Sequence, residues 1–383
     1  MLALWAVVLL LLLAVTVLLY HGVTILFAYQ MPRLEPAPPV RGRVEGISGL
    51  SIVIAARNEA LDLPGTLDDL LAQDRTPAAI VVVDGGSTDG TGAVIDARAP
   101  RVQRIDEPPL PNGWVGKSWA CWNGARATRG EWILFMDADV RTHPAAVRTA
   151  LEWAEREGAD LASIGTRIEM RSFWERVVLP FYIQMVLVHL RSPRVNRPGS
   201  TAAMANGQFL LVRRDVYESL GGHEAVRAAV LEDVALAQRF RAAGRTLRVA
   251  WAPDLASTRM YRRREEMFEG LLKTVHGVQY STRVQVGRVV GMIALFLLPL
   301  GLLPFGWAVG SAALIAMGAF LWIALIGKHI AFDRAVGAPA AYGVLYPLSV
   351  AYYLVVLATS IARGSSGRPV YWKGRAYGIR PSR

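Results

Sequence analysis

An α/β domain carried between transmembrane helices is the architecture this sequence predicts, and two observations predict it. Apolar, β-rich runs ("LSIVIAA", "AIVVVD", "WILFM") alternate with helical stretches near 60–73, 89–98, 116–129 and 144–157. That is the pattern of parallel strands with crossover helices, an α/β nucleotide-binding type of architecture. Outside this region, Met1 to Gln30 and Val289 to Gly327 contain no Asp, Glu, Lys or Arg. Of 383 residues 53% are hydrophobic, high for a soluble enzyme.

Taken in order, residues 1–30 are long enough to span the roughly 30 Å hydrocarbon core as a helix. A cleaved signal peptide is disfavoured: the run is too long, lacks a basic start and shows no small-residue cleavage site. Residues 31–47, with "PRLEPAPPVRGRVEG" (32–46), read as a Pro- and Gly-punctuated linker. The α/β domain follows over 48–280. A hairpin of two spans is expected over 287–327, with Pro299, Pro304 and Gly306 as natural turn or kink positions. A transmembrane or re-entrant helix is expected over 339–362, giving four spans, and 363–383 is a basic tail.

Basic residues orient such a chain. Arg33, Arg41 and Arg43 follow the first span, and Arg283 and Arg288 precede the second, so residues 48–280 are expected in the cytoplasm of a bacterial-type cell. One conflict arises. Three spans after a cytoplasmic domain put the C-terminus outside, yet the tail carries Arg363, Arg368, Lys373, Arg375, Arg380 and Arg383. Either the tail breaks the positive-inside rule or one apolar block is re-entrant or interfacial.

The formal charge is +11, from 42 basic and 31 acidic residues. Zinc-finger cysteines and RNA-binding signatures are absent, so nucleic acid is disfavoured and anionic lipid or phosphorylated substrates remain. The single cysteine, Cys121, excludes an internal disulfide and fits a reducing compartment.

In such sheets ligands bind beyond the carboxyl ends of the strands. Three ends carry chemistry: "IVIAARNEA" stops at Arg57, Asn58 and Glu59; "IVVVDGGSTDGT" at Asp84; "WILFMDADV" at Asp137 and Asp139. Each alone could be a cap or turn. Carboxylates at i and i+2 of an extended chain project to one side and repel, and the usual remedy is a cation. Their oxygens suit a hard divalent ion, Mg²⁺ or Mn²⁺, shared with substrate phosphates. The pattern contains no P-loop and no nucleophile elbow. Lys117, in "NGWVGKSWACWNGA", sits near an expected helix start and suits a diphosphate, a solvated surface lysine being the plainer alternative. Glu232 and Asp233 open an amphipathic helix; one could face a pocket, or both could simply complement the helix dipole.

In combination, "IVIAARNEA", "VVVDGGSTDGT", "GKSWACWNGA", "WILFMDADV", "GGH" and "LEDV" resemble glycosyltransferase family 2, over roughly 50–275. "LPNGWVGKSWACWNGA", "GGHEAVR…LEDVALA" and "RMY" (259–261) look like membrane-bound members of the carotenoid- and hopanoid-associated, diaponeurosporenoate-type subgroup. The resemblance implies a GT-A fold, a Rossmann-like nucleotide-binding domain with a mixed sheet. It implies that Ala55, Arg57, Glu59 and Asp84 surround the nucleotide base and that Lys117 meets the diphosphate. It places Asp137 toward the ribose and Asp139 on the metal, makes Asp233 the general base, and puts Gly222, His223 and Glu232 in the acceptor region. The implied reaction is inverting transfer of one sugar from a nucleotide-sugar, UDP-linked, to a lipid or terpenoid. Transfer to polyprenyl phosphate and a non-catalytic membrane scaffold are the alternatives. Two departures are visible: Gly85 replaces the second acidic or amide residue of many relatives, and the Gln-x-x-Arg-Trp motif of processive synthases is missing, favouring single transfer. "FWERVVLPFYIQMVLVHLRSPRVNRP" (173–198) reads either as an interfacial segment admitting a lipid or as buried core.

Overall fold

The chain folds around a seven-stranded mixed sheet, seen in a computed structural model that describes residues 2–38, 46–189, 192–277, 282–372 and 374–377. Arg41, Arg43, Lys373, Arg380 and Arg383 lie outside the described residues, as do parts of the segments 31–47, 173–198 and 363–383. In chain order the elements are α1 (Leu2–Gln30), β1 (Ile47–Ala56), α2 (Leu63–Leu71), β2 (Pro77–Asp84), α3 (Thr91–Asp96), β3 (Gln103–Asp106) and α4 (Gly116–Arg126). Next come β4 (Trp132–Asp137), β5 (Val140–Thr142), α5 (Ala146–Arg156), β6 (Leu161–Gly165), β7 (Arg167–Ile168), α6 (Phe173–His189), β8 (Phe209–Arg213) and α7 (Arg214–Ser219). The chain continues through α8 (Glu232–Ala242), β9 (Leu247–Trp251), β10 (Ala256–Thr258), α9 (Arg264–Gly277), α10 (Thr282–Met292), α11 (Leu298–Ala308), α12 (Ala312–Ala335) and α13 (Tyr346–Ser365). It closes with β11 (Val370–Trp372) and β12 (Arg375–Tyr377).

Strand order is β3-β2-β1-β4-β8-β6-β9. The four strands from β3 to β4 are parallel, as the strand–helix alternation requires, whereas β8 runs antiparallel to both β4 and β6. The sheet is buried on both faces, and alternation along its strands sorts side chains between two cores. Ile52, Ile54, Leu134 and Met136 point to the layer that holds α2 and α5. Val53, Ile133, Phe135 and Leu210 point to the layer that holds α8 and Tyr217. Each such aliphatic side chain, withdrawn from water, contributes about 1.5–3 kcal/mol. The parallel strands end together at Ala56, Asp84, Asp106 and Asp137, so their polar continuations share one edge.

Among the described residues four helical segments are long and apolar enough to cross a membrane: 8–30, 282–308, 312–335 and 340–365. The segment 282–308 joins α10 and α11 through a π-helical turn at Ile293–Leu297, and α12 packs back along α11. Pro299 and Pro304 lie inside this segment rather than at its turn, which falls at Val309–Ser311. The start of the expected linker is structured: Leu34 donates its N–H to Trp251 O at 2.9 Å and Trp251 donates to Pro32 O at 2.7 Å, extending the sheet at β9.

α13 behaves differently from the other apolar segments. It lies along α6 and α9, with Ser349 Oγ donating to Val177 O at 2.6 Å, Phe181 against Tyr353, and His276 Nδ1 3.3 Å from Ser360 Oγ. After α13, the hairpin β11–β12 returns against α9, and Val370 is buried in the core shared by α6, α9 and α13.

Candidate active site

The strand ends open into a cleft of about 260 Å³. Ala55, Arg57 and Glu59 come from the end of β1, Asp137 and Asp139 from the end of β4, and Lys117 from the first turn of α4; all six line it. Asp137 closes β4, whereas Ala138 and Asp139 form the turn after it, so the turn and not strand alternation brings the second carboxylate to the cleft.

Lys117 sits at the centre of the charges. Its Nζ is 2.7 Å from Asp137 Oδ1 and 2.8 Å from Glu232 Oε1. Asp233 is adjacent: a Cβ on Gly207 would lie 3.0 Å from Lys117 Nζ and 3.2 Å from Asp233 Oδ2. The first turn of α8 thus pairs Glu232 directly with Lys117 and leaves Asp233 nearby without a direct ion pair to it; both carboxylates stand behind the cleft rather than lining it. Asp233 Oδ2 accepts from Gly207 N at 2.7 Å and Oδ1 from Val234 N at 2.8 Å, which fixes its rotamer. Burial and the neighbouring Glu232 charge push the Asp233 carboxyl up to about 6, against the pull of Lys117. Burial acts the same way on Glu232, but the direct Lys117 contact more than offsets it, so this carboxyl is lowered. The two environments separate neighbouring carboxylates into an ionised partner for Lys117 and a group poised near neutrality. Lys273 of α9 also lines the cleft, and burial of its ammonium lowers its pKa despite Glu232.

Asp84, expected around the base, does not line the cleft. Its Oδ1 accepts from Ser87 N at 2.9 Å and its Oδ2 lies 3.4 Å from Arg104, so it braces the turn after β2. The space left by Gly85 explains the change: a Cβ there would fall 3.4 Å from Glu107 Oε2. Glu107, which follows β3, supplies the carboxylate that the residue after Asp84 does not. Gly222 and His223, expected in the acceptor region, are both buried. The His223 ring packs on Phe135, and its Nδ1 lies 2.8 Å from the Tyr217 hydroxyl. Burial lowers the His223 pKa to about 4, keeping it neutral behind the site rather than in it.

Sequence reasoning missed several lining residues: Glu107, Gln208, Arg262, Lys273, Thr274, Trp372 and Arg375. The "RMY" triplet was visible as a motif, and all three of Arg259, Met260 and Tyr261 line the cleft. Arg375 was counted only as a topological charge.

Among the described residues no group of three or more His, Cys, Asp or Glu side chains converges to hold a metal by itself. That suits a hard divalent ion held by one or two carboxylates and completed by substrate phosphate. Asp139 and Asp137 provide such oxygens beside the cations of Lys117 and Lys273, and the donor set fits Mg²⁺ or Mn²⁺.

Comparison with known proteins agrees with this geometry. Residues 51–221 match the family model described as Glycosyl transferase family 2. A 4,4'-diaponeurosporenoate glycosyltransferase of Staphylococcus aureus is 28% identical over 58% of this chain and 58% of its own length. The protein of the same name from Staphylococcus haemolyticus is 26% identical over 51% and 52%. The chain therefore spans about half the length of the curated relatives it matches. A mannosyltransferase from Pyrobaculum calidifontis, in complex with GDP-Man and Mn²⁺, superposes with a TM-score of 0.51 at 16% identity, covering 92% of this chain and 99% of its own. At that identity the likeness shows the fold, a GT-A-type mixed sheet with apolar helices around it. Over residues 51–221, then, the chain is similar to glycosyl transferase family 2.

Proposed function

We propose that this protein moves a single sugar from a nucleotide-sugar, UDP-linked, to a carotenoid-type or other terpenoid lipid held at the membrane, with inversion at the anomeric carbon. The observation that carries the reading is the placement of Asp233. It lies near Lys117, which pairs with Asp137, on one side and near Tyr182 of the membrane-side helices on the other. Tyr182 of α6 lies near Thr274 of α9 and within electrostatic reach of both Asp233 and Tyr353 of α13. Support for the acceptor comes from the names of the staphylococcal relatives, and for donor and metal from the GDP-Man and Mn²⁺ of the structural neighbour.

The reaction then runs on this chain's residues. Arg57 and Glu59 hold the nucleoside end, while Lys117 and Lys273 present positive charge to the diphosphate. A divalent ion bound at Asp139 would further stabilise charge on the leaving oxygen. Asp233 accepts the proton of an acceptor hydroxyl or carboxylic acid, or orients a carboxylate already ionised. The acceptor oxygen bonds to the anomeric carbon as the carbon–oxygen bond to the diphosphate breaks, and that electron pair leaves with the nucleoside diphosphate. Membranes containing the protein, incubated with labelled UDP-sugars or GDP-mannose and with a carotenoid carboxylic acid, test this by mass spectrometry. A sugar ester or glycoside formed from a UDP-sugar is the expected product; an acid-labile phosphate-linked lipid, or no product from any donor, refutes it.

The same reading places the domain and the tail together on the cytoplasmic side. β11 and β12 reach the cleft, so an even number of crossings must separate residue 282 from residue 370. The α10–α11 and α12 segments supply two, and α13, held along its length by α6 and α9, lies at the interface. The conflict posed by the basic tail disappears. In a Cys121→Ala background, a membrane-impermeant thiol reagent applied to intact cells should label Val309→Cys and not Ser366→Cys. The reverse pattern defeats this orientation.

A further inference from the structure

We infer that the C-terminal hairpin is part of the donor site, with Arg375 as a residue that determines nucleoside recognition; this rests on the donor reading above. The cleft has two ends. On the donor reading, Asp139 and Lys117 belong to the end where transfer occurs, and Glu107, beyond β3 at the sheet edge, belongs to the other, which is left for the nucleoside.

Arg375 is docked at that far end. Its Nη2 is 2.6 Å from Glu107 Oε2 and 3.3 Å from Gly85 O, and Gly85 O also accepts from Arg57. The guanidinium lies against Gly116 so closely that a Cβ on that residue would be 1.5 Å from Nη1. A side chain at 116 and Arg375 in this position exclude one another. Trp372 fixes the hairpin from the other strand, edge-on to Tyr261 and with Lys273 Nζ 5.7 Å from its ring centroid.

Two polar atoms at this end have no protein partner: Glu107 Oε1, an acceptor, and Arg57 Nε, a donor, both fully buried. Buried groups of this kind cost free energy unless something satisfies them. Both residues line the cleft and meet around Gly85, Arg57 and Arg375 on its carbonyl and Glu107 on Arg375; an unpaired acceptor and an unpaired donor there are the complement of a base edge that presents both an N–H and a carbonyl, as uracil does. Arg375 takes up Glu107 Oε2 and so aims Oε1. The tail acts as a positioning element, supplied from beyond the last apolar helix, that closes the site around the base.

The test uses full-length protein in detergent with Mn²⁺, titrated with UDP, GDP and CDP, and with donor kinetics measured in parallel. Wild type should bind UDP, and UDP should slow hydrogen exchange across 370–377. Arg375→Ala should weaken UDP about tenfold and raise the donor KM by a similar factor with kcat within about twofold. The preference for UDP over CDP should shrink, and Arg375→Lys should restore affinity only in part. Arg368→Ala, a tail arginine outside the cleft, should leave all of these unchanged. If UDP binds wild type and Arg375→Ala equally and leaves exchange at 370–377 unaltered, the hairpin has no such role, though the donor reading stands. Tighter UDP binding by Arg375→Ala would make the arginine a plug and overturn the inference. If wild type binds no nucleotide, the donor reading falls and takes this with it. Should Arg375→Ala not fold, the exchange measurement on wild type decides alone.

Discussion

The two walls of the cleft are built on different principles. One is made of strand ends: Arg57, Glu59, Asp137 and Asp139 leave parallel neighbours at one sheet edge and meet Lys117 from the following helix. The other is made of the segment 259–262, α9 and the returning tail, with Tyr261, Thr274, Lys273, Trp372 and Arg375 drawn from segments far apart in the chain. The first wall is polar and its groups are fixed by backbone register. The second is apolar behind its surface, continuous with the core of Phe181, Leu271, Val350 and Tyr353. A site assembled this way can hold a charged donor against a rigid sheet edge and admit a hydrophobic acceptor between helices.

The largest effects should come from the carboxylates given chemical roles, Asp139 on the polar wall and Asp233 behind Lys117. Asp139→Asn should lower metal-stimulated turnover by about 10²–10³-fold, and Asp233→Asn by about 10³-fold. The two are separable by nucleotide titration. Asp233→Asn should keep UDP affinity within about threefold, whereas Asp139→Asn should lose the increment that Mn²⁺ gives. Transfer at the wild-type rate by Asp233→Asn would remove it as the base.

A second test sharpens the electrostatic contrast between Glu232 and Asp233. A base must be ionised, so kcat/KM should fall as pH drops through about 6, the value to which burial and Glu232 raise Asp233. Neutralising its neighbour removes one raising influence and leaves Lys117 more available. Glu232→Gln should therefore move the acid limb to lower pH, read from the pH profile at saturating metal. A limb that moves to higher pH would show that Glu232 does not act on Asp233 in this way.

What the sequence made legible follows the same division. Strand-end chemistry is local: "RNE" and "DAD" name their residues because a strand and the turn after it are contiguous. Asp84 shows the boundary of that logic. Its position at a strand end was plain, but whether its carboxylate faced the cleft or the following turn depended on Arg104 and Ser87. Glu107 was hidden because β3 is short and mostly exposed, with no apolar run to mark it. Gly222 and His223 were read with the helix that follows them, yet the hydrogen bonds of His223 to Tyr217 turn that segment into the core. Arg375 was one cation in a basic tail, and only the path of α13 brings it to the cleft.

The smallest expected effect tests the apolar wall. Trp174, near the start of α6, packs on Phe173 and Tyr352, and the Arg264 guanidinium lies 5.8 Å from its ring centroid. It is half-buried, so a polar replacement costs less stability there than at Phe181, which is enclosed by Phe296 and Tyr353. If α6 forms part of the acceptor's approach, Trp174→Ser should raise the acceptor KM several-fold while UDP affinity and donor KM stay within about twofold. Trp174 does not line the cleft and contacts none of the residues given donor roles, so the two constants have no shared residue to couple them. Equal loss on both sides would mean that α6 only supports the sheet and that the acceptor enters elsewhere. Loss confined to the acceptor would assign the lipid's approach to α6 and keep it apart from the donor contacts.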